Sequence, residues 1–254
     1  MNLELKNKII IVTGAAGIKG SIGETMIKHL VKEGSIPAII DRNDRGFEYV
    51  EEIKKSGIDA LFCKTDVTDP NQIKKSIKLI AAKYGRIDAI INNVGVNDGV
   101  GFDSSYNDFM NSLKLNMVSY FLVVKYALPY LKVSKGNILN IGSKVAVTGQ
   151  GGTSGYAASK GGVLGLTREW AVDLIKYSIR VNALIIAESW TPSYENWIKT
   201  LKNGKQKLKS IIEKIPFEKR MTKTDEIANT ALFIITNKSS HTTGQFIICD
   251  GVYF

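Results

Sequence analysis

Three observations on the 254-residue sequence predict an α/β fold, one doubly wound domain whose seven-stranded parallel sheet is flanked by helices. Short, continuous apolar runs alternate with helical segments along the chain, the pattern of strands buried on both faces. A glycine-rich turn follows the first of these runs and opens the first helix. Composition is also that of a globular chain, 44% apolar and 23% charged, enough to build a large core.

Residues 8–13 form the first strand, because Ile9–Val12 is unbroken apolar sequence, and residues 22–33 form a helix that Gly34 stops. Strands over 36–41, 60–63 and 88–92 follow, separated by helices over about 47–56 and 71–84. One long amphipathic helix is expected over about 106–131, with Pro129 near its end. A strand over 137–141, a second long helix over 156–176, a strand over 179–184 and a last one over 246–249 complete the pattern. Residues 190–225 are polar, Lys-rich and poorly periodic. They read as an insertion, a substrate lid at about 188–222, inside one domain spanning 1–254.

The net charge of +10 calls for a source. Of the 34 basic residues 28 are lysine and six arginine, which disfavours nucleic acid, since base readout and bidentate phosphate binding use arginine. Residues 199–223 hold nine basic and two acidic side chains, so this segment alone supplies +7. It reads as the solvated face of a helix, with weak steering of an anionic dinucleotide as a second role. No apolar run approaches the ~18–20 residues of a membrane span. The opening Met1-Asn2-Leu3-Glu4-Leu5-Lys6 lacks the apolar region of a secretory signal, so a cytoplasmic location and no membrane partner are expected. Cys63, Cys249, His29 and His241 fit no zinc or disulfide spacing, and no metal is expected.

After the first strand, glycines recur at 14, 17, 20 and 23, with Ser21 and Ile22 at the helix start. Such a turn lets backbone N–H groups approach a pyrophosphate, and the helix N-terminus adds positive potential. Asp41 ends the second strand, where a carboxylate accepts hydrogen bonds from ribose hydroxyls and repels a 2′-phosphate. That favours NAD over NADP, although Arg42 beside it could hold a 2′-phosphate if turned inward. Further on, Tyr156 and Lys160 stand four apart on one helix face. Ser143 ends the fifth strand, Asn116 lies in the preceding long helix, and Asn92-Asn93-Val94-Gly95 closes the fourth strand.

Taken together with Asp66-Val67, Arg180-Val181-Asn182, Gly244-Gln245 and Asp250-Gly251, these pieces resemble the short-chain dehydrogenase/reductase family over essentially the whole chain. The resemblance implies a Rossmann fold and a catalytic set of Asn116, Ser143, Tyr156 and Lys160. Tyr156 would take the substrate hydroxyl proton and Ser143 would hold the reacting oxygen. Lys160 would favour the phenolate and hold the nicotinamide ribose, and Asn116 would hold a water linking Lys160 to solvent. Implied dinucleotide contacts are Gly14, Gly17, Gly20, Ser21, Ile22, Asp41 and Arg42. To these it adds Asp66 and Val67 at the adenine edge, Asn93, Gly95, Tyr156 and Lys160, with Thr191 near the carboxamide. Two departures stand out. The glycine turn is three residues longer than the family's usual G-x-x-x-G-x-G, and Ile186-Ala187 replaces the Pro-Gly that normally follows the sixth strand.

Asn97, Gln150, Glu188, Tyr194 and Trp197, with Ser143 and Tyr156, are the candidate substrate contacts, since they offer polar groups and aromatic faces suited to a sugar. Val96-Asn97-Asp98-Gly99, 146–151, Thr167-Arg168-Glu169-Trp170-Ala171 and Ser240-His241-Thr242-Thr243-Gly244 are similar to the L-fucose dehydrogenase branch of the family. That similarity implies oxidation of the anomeric C1 hydroxyl of L-fucose or a related sugar to the lactone, with NAD or NADP. It also implies a homotetramer built through the two long helices and the last strand. A reductase of another carbonyl, such as a 3-ketoacyl carrier-protein substrate, and a non-catalytic dinucleotide-binding regulator are the alternatives.

Overall fold

The computed structural model describes residues 3–252, so Met1 and Asn2 of the opening segment, and Tyr253 and Phe254 of the expected domain, lie outside the described residues. The chain runs β1 (Ile9–Thr13), α1 (Ile22–Lys32), β2 (Ile36–Asp41), α2 (Arg45–Lys55), β3 (Leu61–Lys64), α3 (Pro70–Tyr84) and β4 (Ala89–Asn92). It continues with α4 (Tyr106–Leu113), α5 (Ser119–Ser134), β5 (Asn137–Ser143), α6 (Val145–Thr148), α7 (Ser154–Leu174) and β6 (Arg180–Ile186). The last elements are β7 (Ser189–Trp190), α8 (Pro192–Thr200), α9 (Gly204–Ile212), β8 (Thr222–Lys223), α10 (Thr224–Ile235) and β9 (Phe246–Cys249). Seven strands form one parallel sheet in the order β3-β2-β1-β4-β5-β6-β9.

Alternation along each strand divides the core between two faces. Ile10, Val12, Ile39, Ile91 and Leu139 pack against α1, α2 and α10. Ile9, Ile11, Ile40, Ile90 and Ile138 pack against α3, α5 and α7. Strand order reverses between β1 and β4, so their C-terminal ends diverge and leave a crevice between them.

Two expectations are corrected. The long helix over 106–131 is two helices joined by a π-helical turn at Lys114–Val118. Side chains there compete for helix carbonyls: Asn116 Nδ2 donates to Ser112 O at 3.1 Å and Ser119 Oγ to Leu115 O at 2.6 Å. The second long helix ends at Leu174, where the chain tightens into a 3₁₀ turn at Ile175–Tyr177. The poorly periodic stretch contains α8 and α9, and its root is tied by a two-residue parallel ladder, Ser189 with Thr222 and Trp190 with Lys223. That ladder is the path the chain takes where Ile186-Ala187 replaces Pro-Gly.

Close approach of α1 to the sheet fixes one glycine. A Cβ on Gly23 would lie 2.5 Å from Gly14 O and 2.7 Å from Asn93 Nδ2. Gly23→Ala is therefore expected to destabilise the fold by about 1–3 kcal/mol, read as a lower denaturant midpoint. A midpoint equal to wild type would mean that α1 can move away from the strand at no cost.

Candidate active site

The site begins where β1 and β4 end. Thr13 Oγ1 accepts from Asn93 N at 3.0 Å and Val94 N at 3.1 Å, while Asn93 Nδ2 donates to Thr13 O and Gly14 O, each at 3.0 Å. Gly14 has φ +70°, and a Cβ there would meet Val94 Cα at 2.9 Å, so only glycine suits this crossing. The resulting cleft has two parts. One, of about 650 Å³, is lined by Asp41, Arg42, Asp66, Val67 and Leu122 among others. The second, of about 520 Å³, is lined by Gly14, Gly17, Ser21, Ile22, Asn93, Gly95, Tyr156, Lys160 and Thr191 among others. Both share Gly14, Asp41, Arg42, Val94 and Val96.

Asp41 is buried; Oδ2 accepts from Ala16 N at 2.8 Å and Oδ1 from Asn43 N at 2.9 Å. Its carboxylate thus anchors the glycine loop as well as facing the cleft. Asp66 Oδ1 accepts from Thr68 within its own turn. Thr191 caps α8 by accepting from Tyr194 N. Gly20 is set apart from the other loop glycines: it lines neither part of the cleft and faces Pro192.

At the other end, Tyr156 on α7 lies beside Ser143 at the end of β5, near enough for the Ser143 hydroxyl to act on the phenol. Lys160 is fully buried; Nζ donates to Ile141 O at 2.8 Å and Tyr120 Oη at 3.0 Å, and lies 5.7 Å from the Tyr156 ring centre. Asn116 Oδ1 accepts from Val96 N at 2.8 Å and fixes the loop after β4. A Cβ on Gly95 would come within 3.2 Å of Asn116 Oδ1 and 3.3 Å of Lys160 Nζ, so the loop after β4, the π-helical turn and α7 meet at one point. The electrostatics differ from expectation. Burial, and then the Asp98 carboxylate, push the Tyr156 phenol above its ordinary pKa, outweighing the opposite pull of the Ser143 hydroxyl. Burial also lowers Lys160, to about 7, while its ammonium form favours a phenolate at Tyr156.

Among the seven candidate substrate contacts, only Tyr156 lines the cleft. Asn97 and Gln150 are exposed. Glu188 pairs with buried Lys144, the residue after Ser143, and its carbonyl accepts from Thr222 N at 3.1 Å. Tyr194 stacks edge-on to Trp197 at 5.1 Å and lies 6.4 Å from Trp190, an aromatic cluster on α8 and β7. Among the described residues there is no cluster of His, Cys, Asp and Glu able to hold a metal ion, and no helix is long and apolar enough to cross a membrane.

Two residues that sequence reasoning passed over organise the lengthened glycine loop. Glu24, fully buried in the first turn of α1, accepts from Gly20 N and from Arg45 Nη2 at 2.9 Å. Arg45 Nη1 in turn donates to Ala16 O at 3.2 Å. The available signal was a lone acid just inside α1, three residues after Ser21, whose Oγ accepts from Glu24 N. Glu24→Ala should cost about 1.5–3 kcal/mol by removing hydrogen bonds to a charged group, and an unchanged urea midpoint would dismiss the anchor. For Lys160 the sign is set by its depressed value: the unfolded chain binds its proton up to about 10.5, the folded chain only to about 7. Wild-type stability relative to Lys160→Met is therefore expected to rise as pH climbs from about 7 towards 10 and to be flat below that window. Unfolding free energies measured across that range check this, and parallel curves would refute it.

Comparison with known proteins agrees with this architecture. Residues 14–253 match the family model described as enoyl-(acyl carrier protein) reductase. The chain is 33% identical to the 3-oxoacyl-[acyl-carrier-protein] reductase FabG of Thermotoga maritima, over 98% of each chain. It is 29% identical to the L-fucose dehydrogenase of Bos taurus, over 99% of this chain and 91% of that one. The crystal structure of Cj0485 dehydrogenase superimposes with TM-score 0.94 at 41% identity, covering 100% of this chain and 97% of the other. With a seven-stranded parallel sheet, a crevice at the β1–β4 divergence and matches over nearly its whole length, the chain belongs to the short-chain dehydrogenase/reductase family, whose members are oxidoreductases using a nicotinamide dinucleotide.

Proposed function

We propose that the protein oxidises the anomeric C1 hydroxyl of L-fucose or a related sugar to the lactone, with NAD in preference to NADP. The observation that carries this reading is that Tyr156 and buried Lys160, four apart on α7, both line the cleft, with Ser143 at the end of β5 beside the phenol. Similarity to L-fucose dehydrogenases supports the sugar, as do the polar loops after β4 and β5.

The cleft fits the dinucleotide. Its two parts are continuous through Gly14, Asp41 and Val94, and the floor at Gly14 has no room for a Cβ. Asp41 and Arg42 would hold the adenosine ribose, with Asp66 and Val67 at the adenine. Gly17, Ser21 and Ile22 would meet the pyrophosphate, and Asn93, Gly95, Lys160 and Thr191 the nicotinamide half. Asp41 places a negative charge where a 2′-phosphate would sit, which supports NAD. When bound, the nicotinamide supplies the acceptor for two electrons and a positive charge. Ser143 holds the C1 oxygen, and Tyr156 Oη takes the hydroxyl proton as C1 loses hydride and the C1–O bond becomes a carbonyl. Charged Lys160 favours the phenolate, and Asn116 holds the loop that carries Gly95. Lys144 and Glu188 tie Ser143 to the root of the lid, where Tyr194 and Trp197 offer an aromatic face to a sugar.

We take residues 1–254 as one catalytic domain with its lid at about 188–222, acting in the cytoplasm. We also take it as a homotetramer, supported by β9 ending the sheet with Ile248 56% exposed. The second reading, reduction of a 3-ketoacyl carrier-protein substrate, is favoured by the 33% identity to FabG and by the basic lid. Initial rates with L-fucose, L-galactose, D-arabinose and 3-ketoacyl substrates, each with both cofactors, separate the two. Turnover of acyl substrates alone would reject the sugar. Tyr156→Phe is expected to lower turnover by about 10²–10⁴-fold while dinucleotide binding, followed by fluorescence, is retained. Near-normal turnover would remove Tyr156 from its role.

A further inference from the structure

Lys160 Nζ has three donors, and two are spent inside the protein, on Ile141 O at 2.8 Å and Tyr120 Oη at 3.0 Å. Tyr120 comes from α5, one turn beyond Asn116, and its side chain is 1% exposed. Its own proton is committed to backbone, to Val94 O at 3.0 Å or Ile141 O at 3.3 Å, so the oxygen can only accept from Lys160. Asn116 holds Val96 N while Tyr120 holds Val94 O, and Gly95, pressed against Nζ, lies between these two anchors. Two fixed legs of the ammonium leave the third to point toward the cleft.

We propose that Tyr120 is a positioning residue for Lys160, accepting its ammonium so that the remaining N–H is aimed at the cleft and the charged form is sustained in a fully buried place. This rests on the reading of Lys160 as the partner of Tyr156. The titratable groups facing Lys160 are Tyr120 from α5 and Tyr156 from its own helix, and Asp98, from the loop after β4, acts on Tyr156. Burial holds Tyr120 neutral, far above the ordinary phenol range, which keeps it an acceptor and not a rival base.

Tyr120→Phe keeps the ring in the core and deletes only the oxygen. In a lysine ¹³Cε NMR titration of the full chain, with Lys160→Met assigning the signal, the Lys160 midpoint should fall from near 7 by about one pH unit. An unmoved midpoint overturns the proposal. With any sugar that wild type oxidises, the acid limb of the oxidation rate should move to higher pH, about 10-fold slower below it, and recover its plateau at high pH. A rate lowered equally at every pH overturns positioning and leaves a structural role. If no sugar is oxidised by wild type, the sugar reading fails and the NMR midpoint still decides the role of Tyr120. Should the variant not fold, wild type decides: NOEs between the Lys160 Cε protons and the Tyr120 ring support the contact, and their absence overturns it.

Discussion

The junction of β1 and β4 governs the rest of the molecule. Two parallel strands that turn their crossovers to opposite faces must part at their C-terminal ends, and the exposed backbone there needs partners. Thr13 and Asn93 supply them reciprocally, one hydroxyl accepting two amides and one side-chain amide donating to two carbonyls. That lock brings Gly14 against Val94 and sets the floor of the cleft. The neighbouring pieces, α1 through Gly23 and the β4 loop through Asn116, are placed relative to it.

A second constraint is the buried lysine. An ammonium in the interior is costly, and the fold answers with a carbonyl, a phenol oxygen and the cleft. The compensation is incomplete, since Lys160 titrates near 7 while the phenol of Tyr156 is pushed up. Burial thus works against both charged forms, and a further positive charge in the cleft would favour the Tyr156 phenolate. The π-helical turn belongs to the same solution, because it brings Asn116 and Tyr120 to bear on the loop beside the lysine.

The sheet and the positions of its seven strands were legible in the sequence, because strand burial and short connections leave few ways to arrange such a pattern, whereas the grouping of Tyr156, Ser143, Lys160 and Asn116 was implied only by the family resemblance of their motifs. Helix 106–131 read as continuous because periodicity counts side chains facing one way and is blind to a single carbonyl lost to an Asn amide. The Lys-rich stretch looked irregular because α8 and α9 are short and bury little apolar surface.

What the sequence determined by itself is therefore local and periodic: which segments are strands, where the glycine turn falls, and which residue types stand at strand ends. Only the tertiary structure decided the long-range pairings. Glu24 with Arg45, Lys144 with Glu188, and Lys160 with Tyr120 are 21, 44 and 40 residues apart. Nothing in the spacing of such pairs announces them, since a contact between distant side chains is set by how sheet and helices pack, and that packing minimises burial cost over the whole chain at once.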